Sequence, residues 1–491
     1  MTTQFIRKVC VLAAAALLAA CGGGGGGSGS AGTGTSPGAG AVGIVLTDKP
    51  ANLGEIEQIL MTITAVEILA DGDQGKVTLY SGRPRGPFDL LKLEHEARPL
   101  AFSSEVPAGT YCKIRLTLSD LELVFNNGEP NFHPKLPGNS KLDLNARKCF
   151  DVVPGATVYL QLDMDARSIH VVQTGNMKRY NFRPVVFIDV MGGHFPAKLV
   201  RLEGGVIREI NRQDASMLLC EFHYGSGGNG GAEDCMNILV SRDTSAFDNF
   251  ANDGVNNASD GDAIPLAELL DPRRVGETPV TVVGRLSSSN SGDGNRPVLE
   301  ALVVELGGFV NLKGSVASGA SDIRFNMTVD PSEGIQPGGE LPVALQPAPP
   351  GGNGTKILSP SGDALTGADI IPQRRIMADG VLILAQASPD YLNSSLVIVE
   401  TPSAGGKEEA SGVIEGLNAD TLFLGAASFP CEAGTGSFVV SFDTDTVVYL
   451  SMVSGGQFVD TSGLAVGQNV DISGDCDGTT LAAKAIIIRH D

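Results

Sequence analysis

Tyr111-Cys112-Lys113-Ile114-Arg115-Leu116-Thr117-Leu118-Ser119 decides the fold class. Cys112, Ile114, Leu116 and Leu118 alternate with Lys113, Arg115 and Thr117, the period of two that sets apolar side chains on one face of a half-buried antiparallel strand. Thr157 to Met164 repeats the pattern with Val158, Leu160, Leu162 and Met164 inward. Upstream, Val42 to Thr47 is apolar, and Ile56 to Leu69 is β-branched and apolar almost throughout, as expected of a strand buried on both faces. Sheets that each hide one face pair most compactly as a sandwich. Composition agrees. Of 491 residues, 63 are Gly and 27 Pro, Trp is absent and aromatics make up 5%, a mixture that favours short strands and turns over long helices. The chain reads as all-β.

The N-terminus decides location. Arg7 and Lys8 precede an apolar run, Val9 to Ala20, shorter than the roughly 20 residues a membrane helix needs. The run ends in Leu17-Leu18-Ala19-Ala20-Cys21. This resembles the bacterial lipobox, and the resemblance implies cleavage before Cys21, lipidation of Cys21 and stable membrane anchoring through several acyl chains. Gly22 after the cysteine resembles the Gram-negative pattern that permits sorting to the outer membrane. Residues 1–20 are then a signal peptide, and residues 21–41, Gly-rich with nothing to bury, a flexible tether. Loss of Arg7 and Lys8 takes the formal charge from -21 to -23, so neither nucleic acid nor an anionic membrane surface is an expected partner.

Of eight cysteines, Cys10 leaves with the signal and Cys21 takes lipid. The other six fall in neighbouring pairs, and in an exported chain the expected disulfides are Cys112–Cys149, Cys220–Cys235 and Cys431–Cys476. Cys220 and Cys235 flank a Gly-rich loop between two strand-like runs, which suits a hairpin. No C-x2-C pair is present to suggest zinc.

Within residues 42–195, Val45-Leu46-Thr47-Asp48-Lys49-Pro50, the strand Ile59 to Ile68, Phe88-Asp89-Leu90-Leu91-Lys92-Leu93, Val106-Pro107-Ala108-Gly109-Thr110-Tyr111 and Leu160-Gln161-Leu162-Asp163 occur in order. Together they resemble a bacterial lipoprotein domain of unknown function, family 4382. The resemblance implies a lipid-anchored β-domain and carries no catalytic residue. Beyond Pro196 three segments end alike in a strand, a glycine, a polar loop and a closing strand. These are Val280 to Val304 around Gly284, Ile376 to Val399 around Gly380, and Val470 to Ile488 around Gly474. Their spacing suits tandem small barrels rather than a solenoid. The expected modules are 196–310, a degenerate copy at 311–403, and 409–491, which resembles an exported barrel-like domain of unknown function, family 5666. Turn formers at Ser403 to Glu408 mark the last boundary.

No chemistry-bearing motif survives its structural context. Gly34 to Gly38 matches G-x-S-x-G, and Gly225, Gly227 and Gly230 match G-x-G-x-x-G, but neither has the strand and helix that the motif needs. Asp243, Asp248, Asp253, Asp260 and Asp262 supply oxygens that calcium prefers, yet from Asn249 an EF-hand register would place Ala251 at a ligand position, so a plain loop is expected. Glu94-His95-Glu96 lacks H-E-x-x-H spacing and reads as a solvated turn. His133, His170, His194, His223 and His490 stand singly. A glycan platform of exposed aromatics is disfavoured by zero Trp and 7 Tyr. The expectation is a lipid-anchored envelope lipoprotein with a binding, adhesion or structural role. It has no catalysis, cofactor or metal, and a protein or glycan partner at the envelope. The alternative is a sugar-binding or hydrolase subunit of an envelope complex, which a cleft lined by two carboxylates would favour.

Overall fold

A computed structural model of the chain describes residues 38–489 apart from 49–55, 71–74, 135–139, 166–168, 175–176, 183–184, 192–197, 223–234, 251–259, 288–295, 322, 331–332, 334–338, 385–389, 401–406, 427–437, 444–445, 452–456 and 478. Cys21, the tether up to residue 37 and Cys431 lie outside the described residues, as does the side chain of Cys476. Among the described residues no helix is long and apolar enough to cross a membrane.

The first region is the expected sandwich. Its strands are β1 (Ala39–Asp48), β2 (Ile56–Ala70), β3 (Lys76–Asp89), β4 (Arg98–Pro107), β5 (Gly109–Phe125), β6 (Lys141–Val152), β7 (Thr157–Asp165), β8 (Ile169–Thr174), β9 (Met177–Phe182) and β10 (Val185–Met191). Two sheets, ordered β10-β7-β1-β4 and β3-β2-β5-β6, close on one core, and β8 pairs with β9. Ile44, Leu46, Leu160 and Leu162 of one sheet meet Ile59, Ile63, Ile114 and Leu116 of the other.

Two details of the strand reading change. β2 is not buried on both faces. Ile59, Met61 and Ile63 are buried and the residues between them only half so, whereas β1 is buried from Gly40 to Asp48. Val45, on the other face of β1 from Ile44 and Leu46, packs into the core of the next module. Cys112 does not point inward with Ile114. A register shift between Tyr111 and Lys113 buries Tyr111 and leaves Cys112 half-buried, joined at the surface to the exposed Cys149 by a disulfide. Such a bulge inverts the alternation on one side of itself.

Three barrels of one topology follow. The first contains β11 (Val200–Asn211), β12 (Ser216–Cys220), β13 (Cys235–Leu239), β14 (Ser245–Asp248), β15 (Asp262–Ile264), β16 (Val280–Ser287) and β17 (Val298–Leu306). The second contains β18 (Val310–Ser321), β19 (Arg324–Val329), β20 (Glu340–Leu345), β21 (Lys356–Leu358), β22 (Arg375–Ile383) and β23 (Tyr391–Val399). The third contains β24 (Lys407–Leu417), β25 (Thr421–Ala426), β26 (Phe438–Ser441), β27 (Val447–Ser451), β28 (Gln457–Val459), β29 (Asn469–Asp477) and β30 (Thr480–Arg489). In the first, β13-β12-β11-β16-β17 is antiparallel, and a parallel β13–β17 pairing closes the ring. Parallel pairings β20–β23 and β26–β30 close the others. This is a five-stranded Greek-key barrel, the architecture of the OB-fold. The degenerate middle copy keeps the ring and reduces the hairpin β14–β15 to a Leu358–Ala364 bridge. β24 starts at Lys407, so Lys407 and Glu408 are strand rather than turn.

The repeated glycine has one physical role in all three. Gly284, Gly380 and Gly474 each sit at a register shift opposite the closing strand. A Cβ there would lie 2.1 Å from the Glu300 carbonyl oxygen, 2.4 Å from that of Asn393 and 2.0 Å from that of Ala482. The residue opposite each glycine accepts a threonine hydroxyl at its carbonyl: Thr244 to Ala301 at 2.7 Å, Thr355 to Ser394 at 2.6 Å and Thr446 to Ala483 at 2.8 Å. Each threonine Oγ1 in turn accepts a main-chain N–H, from Ser241, Gln346 and Asp443. The clamp therefore staples the segment after the third ring strand to the bulge. Because the 2.0 Å contact is with main chain, Gly474→Ala is expected to destabilise the third barrel by at least about 1–3 kcal/mol, read as a lowered denaturation midpoint of the full chain.

Candidate functional site

The motif Phe88-Asp89-Leu90-Leu91-Lys92-Leu93 builds the turn that carries the site. Asp89 caps a 3-10 turn, Leu90–Glu94, by accepting from the Leu91 N–H at 3.2 Å, and also accepts from the Ile59 N–H at 3.3 Å. Leu90 and Leu93, three apart, drop into the sandwich core. The second barrel meets the stretch between them: Lys313 donates to the Leu91 carbonyl and Lys92 pairs with Glu333 at 3.0 Å. The chain then leaves as Glu94-His95-Glu96-Ala97, and Ala97 bridges to the first barrel, donating to the Leu199 carbonyl at 2.7 Å and accepting from the Arg201 N–H at 2.9 Å. Leu199 in turn donates to the Pro360 carbonyl of the second barrel at 2.8 Å.

Glu94-His95-Glu96 is therefore not a solvated turn. His95 and Glu96 are each 1% exposed, because barrel residues more than 100 positions downstream cover them. At the centre is Arg201 of β11, 2% exposed. Its Nε lies 2.5 Å from Glu96 Oε2, Nη2 bonds Asp379 of the second barrel, and Nη1 is 3.9 Å from Glu305 of β17. Arg98 joins from the sandwich, 2.9 Å from Glu96 and 2.6 Å from Glu203. Asn311 donates to Asp379 at 2.6 Å, and the Ser395 hydroxyl donates to Glu305 Oε1. Glu305 Oε2 is buried with no hydrogen-bond partner among the described residues. Burial, reinforced by Asp379 and opposed by Arg201, pushes the Glu305 carboxyl up to about 8, so it holds a proton at neutral pH. Burial and Glu96 raise Asp379 as well, against the pull of Arg201. Burial opposes the charge of Arg201, but Asp379, Glu96 and Glu305 outweigh it and hold its pKa well above the ordinary value.

Beside this network His95 faces Glu94 and Glu400. Burial drives the imidazole down to about 4, with Lys313, Arg375 and Lys198 adding to the effect and Glu94 opposing it. It is neutral, and neither ring nitrogen has a hydrogen-bond partner among the described residues. Burial alone would raise Glu94, but His95 first and then Lys313, Arg375 and Lys198 outweigh it and hold that carboxylate below its ordinary value. Arg375 makes its short bonds to Asp330, at 2.8 and 2.7 Å.

The other sequence candidates do not converge. Cys220 and Cys235 form a disulfide across β12 and β13, whereas Cys431–Cys476 falls outside the described residues. In the acidic loop Asp248 pairs with Arg274 at 2.8 Å, Asp262 accepts from Asn393 at 3.4 Å, and Asp243 is exposed; Asp253 is outside the described residues. His133 is exposed, 3.0 Å from Asp120. The side chains of His170, His194, His223 and His490 are outside the described set. Arg201, Glu305 and Asp379 escaped the sequence reading altogether. The available signal was an ionisable residue at an outward position of otherwise apolar strands, as in Ala301-Leu302-Val303-Val304-Glu305-Leu306.

With the geometry in place, comparison with known proteins adds one relation. A family model described as a domain of unknown function, DUF4382, matches residues 39–184, which lie in the sandwich. No curated protein and no solved structure matches the chain.

Two outcomes follow from the cluster. Arg201→Met strands Glu96 and Asp379 in the junction and is expected to cost about 3–5 kcal/mol in denaturant unfolding, as for other buried pairs that lose one partner. Glu305 binds its proton more tightly folded than unfolded, so between its ordinary pKa and about 8 the folded state carries the extra proton and stability falls as pH rises. Glu305→Gln removes that proton, so stability measured across this window should fall less steeply with pH than in the parent chain.

Proposed function

We propose that the chain is a lipid-anchored lipoprotein of the bacterial cell envelope, sorted to the outer membrane, whose folded part serves as a binding or structural module and performs no catalysis. Tandem barrels follow the sandwich in this reading, the last of them related to family 5666, and a protein or glycan at the envelope is the partner. The observation that carries it is the sealing of the charge cluster. The runner-up reading required a cleft lined by two carboxylates. Glu305 and Asp379 are such a pair, but each is 1% exposed and both face Arg201. Carboxylates that cleave a glycosidic bond need room between them for sugar and water. Here the space is filled by a guanidinium, so the acids join modules to one another. The lipobox ending in Cys21 supports anchoring, and the acidic surface supports attachment through lipid rather than through charge.

Fractionation of cells that express the parent chain and Cys21→Ser tests this. The parent is expected in the membrane fraction, and the variant released or unprocessed. A variant that is still processed and still membrane-bound would overturn the anchor.

A further inference from the structure

Among the described residues, His95 is an unpartnered polar group of the junction. One donor atom each from Glu94, His95 and Glu400 can be chosen so that all lie within 4.8 Å of one another. Two of these residues come from the sandwich turn and the third follows β23 of the second barrel. His95 is 1% exposed, one of its ring nitrogens is among these donors, and neither ring nitrogen has a hydrogen-bond partner among the described residues. A buried imidazole without a hydrogen bond carries a desolvation cost that a bound partner would offset. We propose that Glu94, His95 and Glu400 bind a divalent d-block ion of the zinc type, which clips the sandwich to the second barrel.

The donor set points to that class. One imidazole with two carboxylates suits zinc and its neighbours, whereas calcium and magnesium take oxygen alone. Two carboxylates neutralise the ion, and the imidazole supplies a nitrogen donor. The cations nearby are already engaged. Arg375 is 3.9 Å from Glu94 but is held bidentately by Asp330. Lys198 donates to the carbonyls of Asp48 at 2.6 Å and Leu93 at 3.2 Å, and Lys313 donates to that of Leu91. Access is from the carboxylate side, where the Glu94 side chain is 12% exposed and Glu400 is half-buried. The site is independent of the anchoring and of the absence of catalysis argued above.

The test uses the full chain in detergent, stripped with EDTA and titrated with zinc sulfate against a chromophoric chelator of about micromolar affinity. One zinc per chain is expected to compete with the chelator, with an imidazole signature in X-ray absorption. His95→Ala is expected to weaken binding by about 100-fold, and Glu400→Gln, the more accessible and isosteric change, by about 10-fold or more. Zinc should raise the melting temperature of the parent and not of these variants. Should His95→Ala fail to fold, Glu400→Gln carries the test alone. Absence of a competing equivalent in the parent, or full affinity retained in either folded variant, overturns the site.

Discussion

A guanidinium withdrawn from water is tolerable only where anions and hydrogen-bond acceptors replace the solvent around it, and Arg201 meets that condition with groups from three modules. Glu96 comes from the sandwich, Glu305 from the first barrel and Asp379 from the second. No one module completes the shell. A shift of either neighbour by a fraction of a turn of chain would leave a buried charge unpaired, an error of several kcal/mol. The apolar contact around it, Leu199, Phe247, Val283 and Val303 against Leu358, Met377, Leu396 and Ile398, supplies area but tolerates sliding. Ion geometry therefore sets the register, and apolar burial sets most of the strength. The surplus of acid is reduced by protonation: Glu305 keeps its proton at neutral pH, so Arg201 does not face three full negative charges.

The barrels show how one repeated ring comes to make an asymmetric junction. Each ring keeps the glycine bulge and the threonine clamp, which are matters of main-chain packing and do not depend on neighbours. The outward positions are free to diverge. At the slot of the opening strand that pairs opposite the residue before the bulge glycine, the three copies carry Arg201, Asn311 and Glu409. In the first copy the slot supplies the central cation. In the second it supplies an amide that orients Asp379 toward that cation. The internal repeat thus fixes the scaffold, and substitution at one register position distinguishes the faces that dock.

The class of fold was legible because alternation and recurring glycines are local signals. Ile114, Leu116 and Leu118 are buried as their spacing implies, and Gly284, Gly380 and Gly474 mark equivalent strands. Cys112 was misplaced because a bulge shifts phase without any special residue to announce it. β1 was the strand buried on both faces rather than β2, since its second face is covered by another module, a contact that periodicity within the strand does not record. The same blindness explains Glu94-His95-Glu96. Three polar residues after a capped turn read as solvent-exposed, and what buries them lies at Arg201, Lys313 and Asp379. The threonine clamp was missed for a related reason: one Thr among many in turn-rich sequence carries its meaning only through the carbonyl it reaches.

A junction whose register is set by ions also suits the order in which the chain emerges. The sandwich is complete before residue 200 and all three barrels must still follow, so the face carrying Glu96 and Arg98 meets water before Arg201 arrives. An apolar face of that size would invite association with other unfinished chains, while a charged one stays hydrated until its counter-charges dock. The cost is a desolvation penalty at docking. It is offset because the partners are already aimed: Glu96 follows directly on a turn fixed by Asp89, Leu90 and Leu93 in the sandwich core, and Asp379 stands beside a bulge whose glycine no other residue can replace without a clash. Rigid local structure on both sides is what lets a buried ion pair specify a junction instead of weakening it.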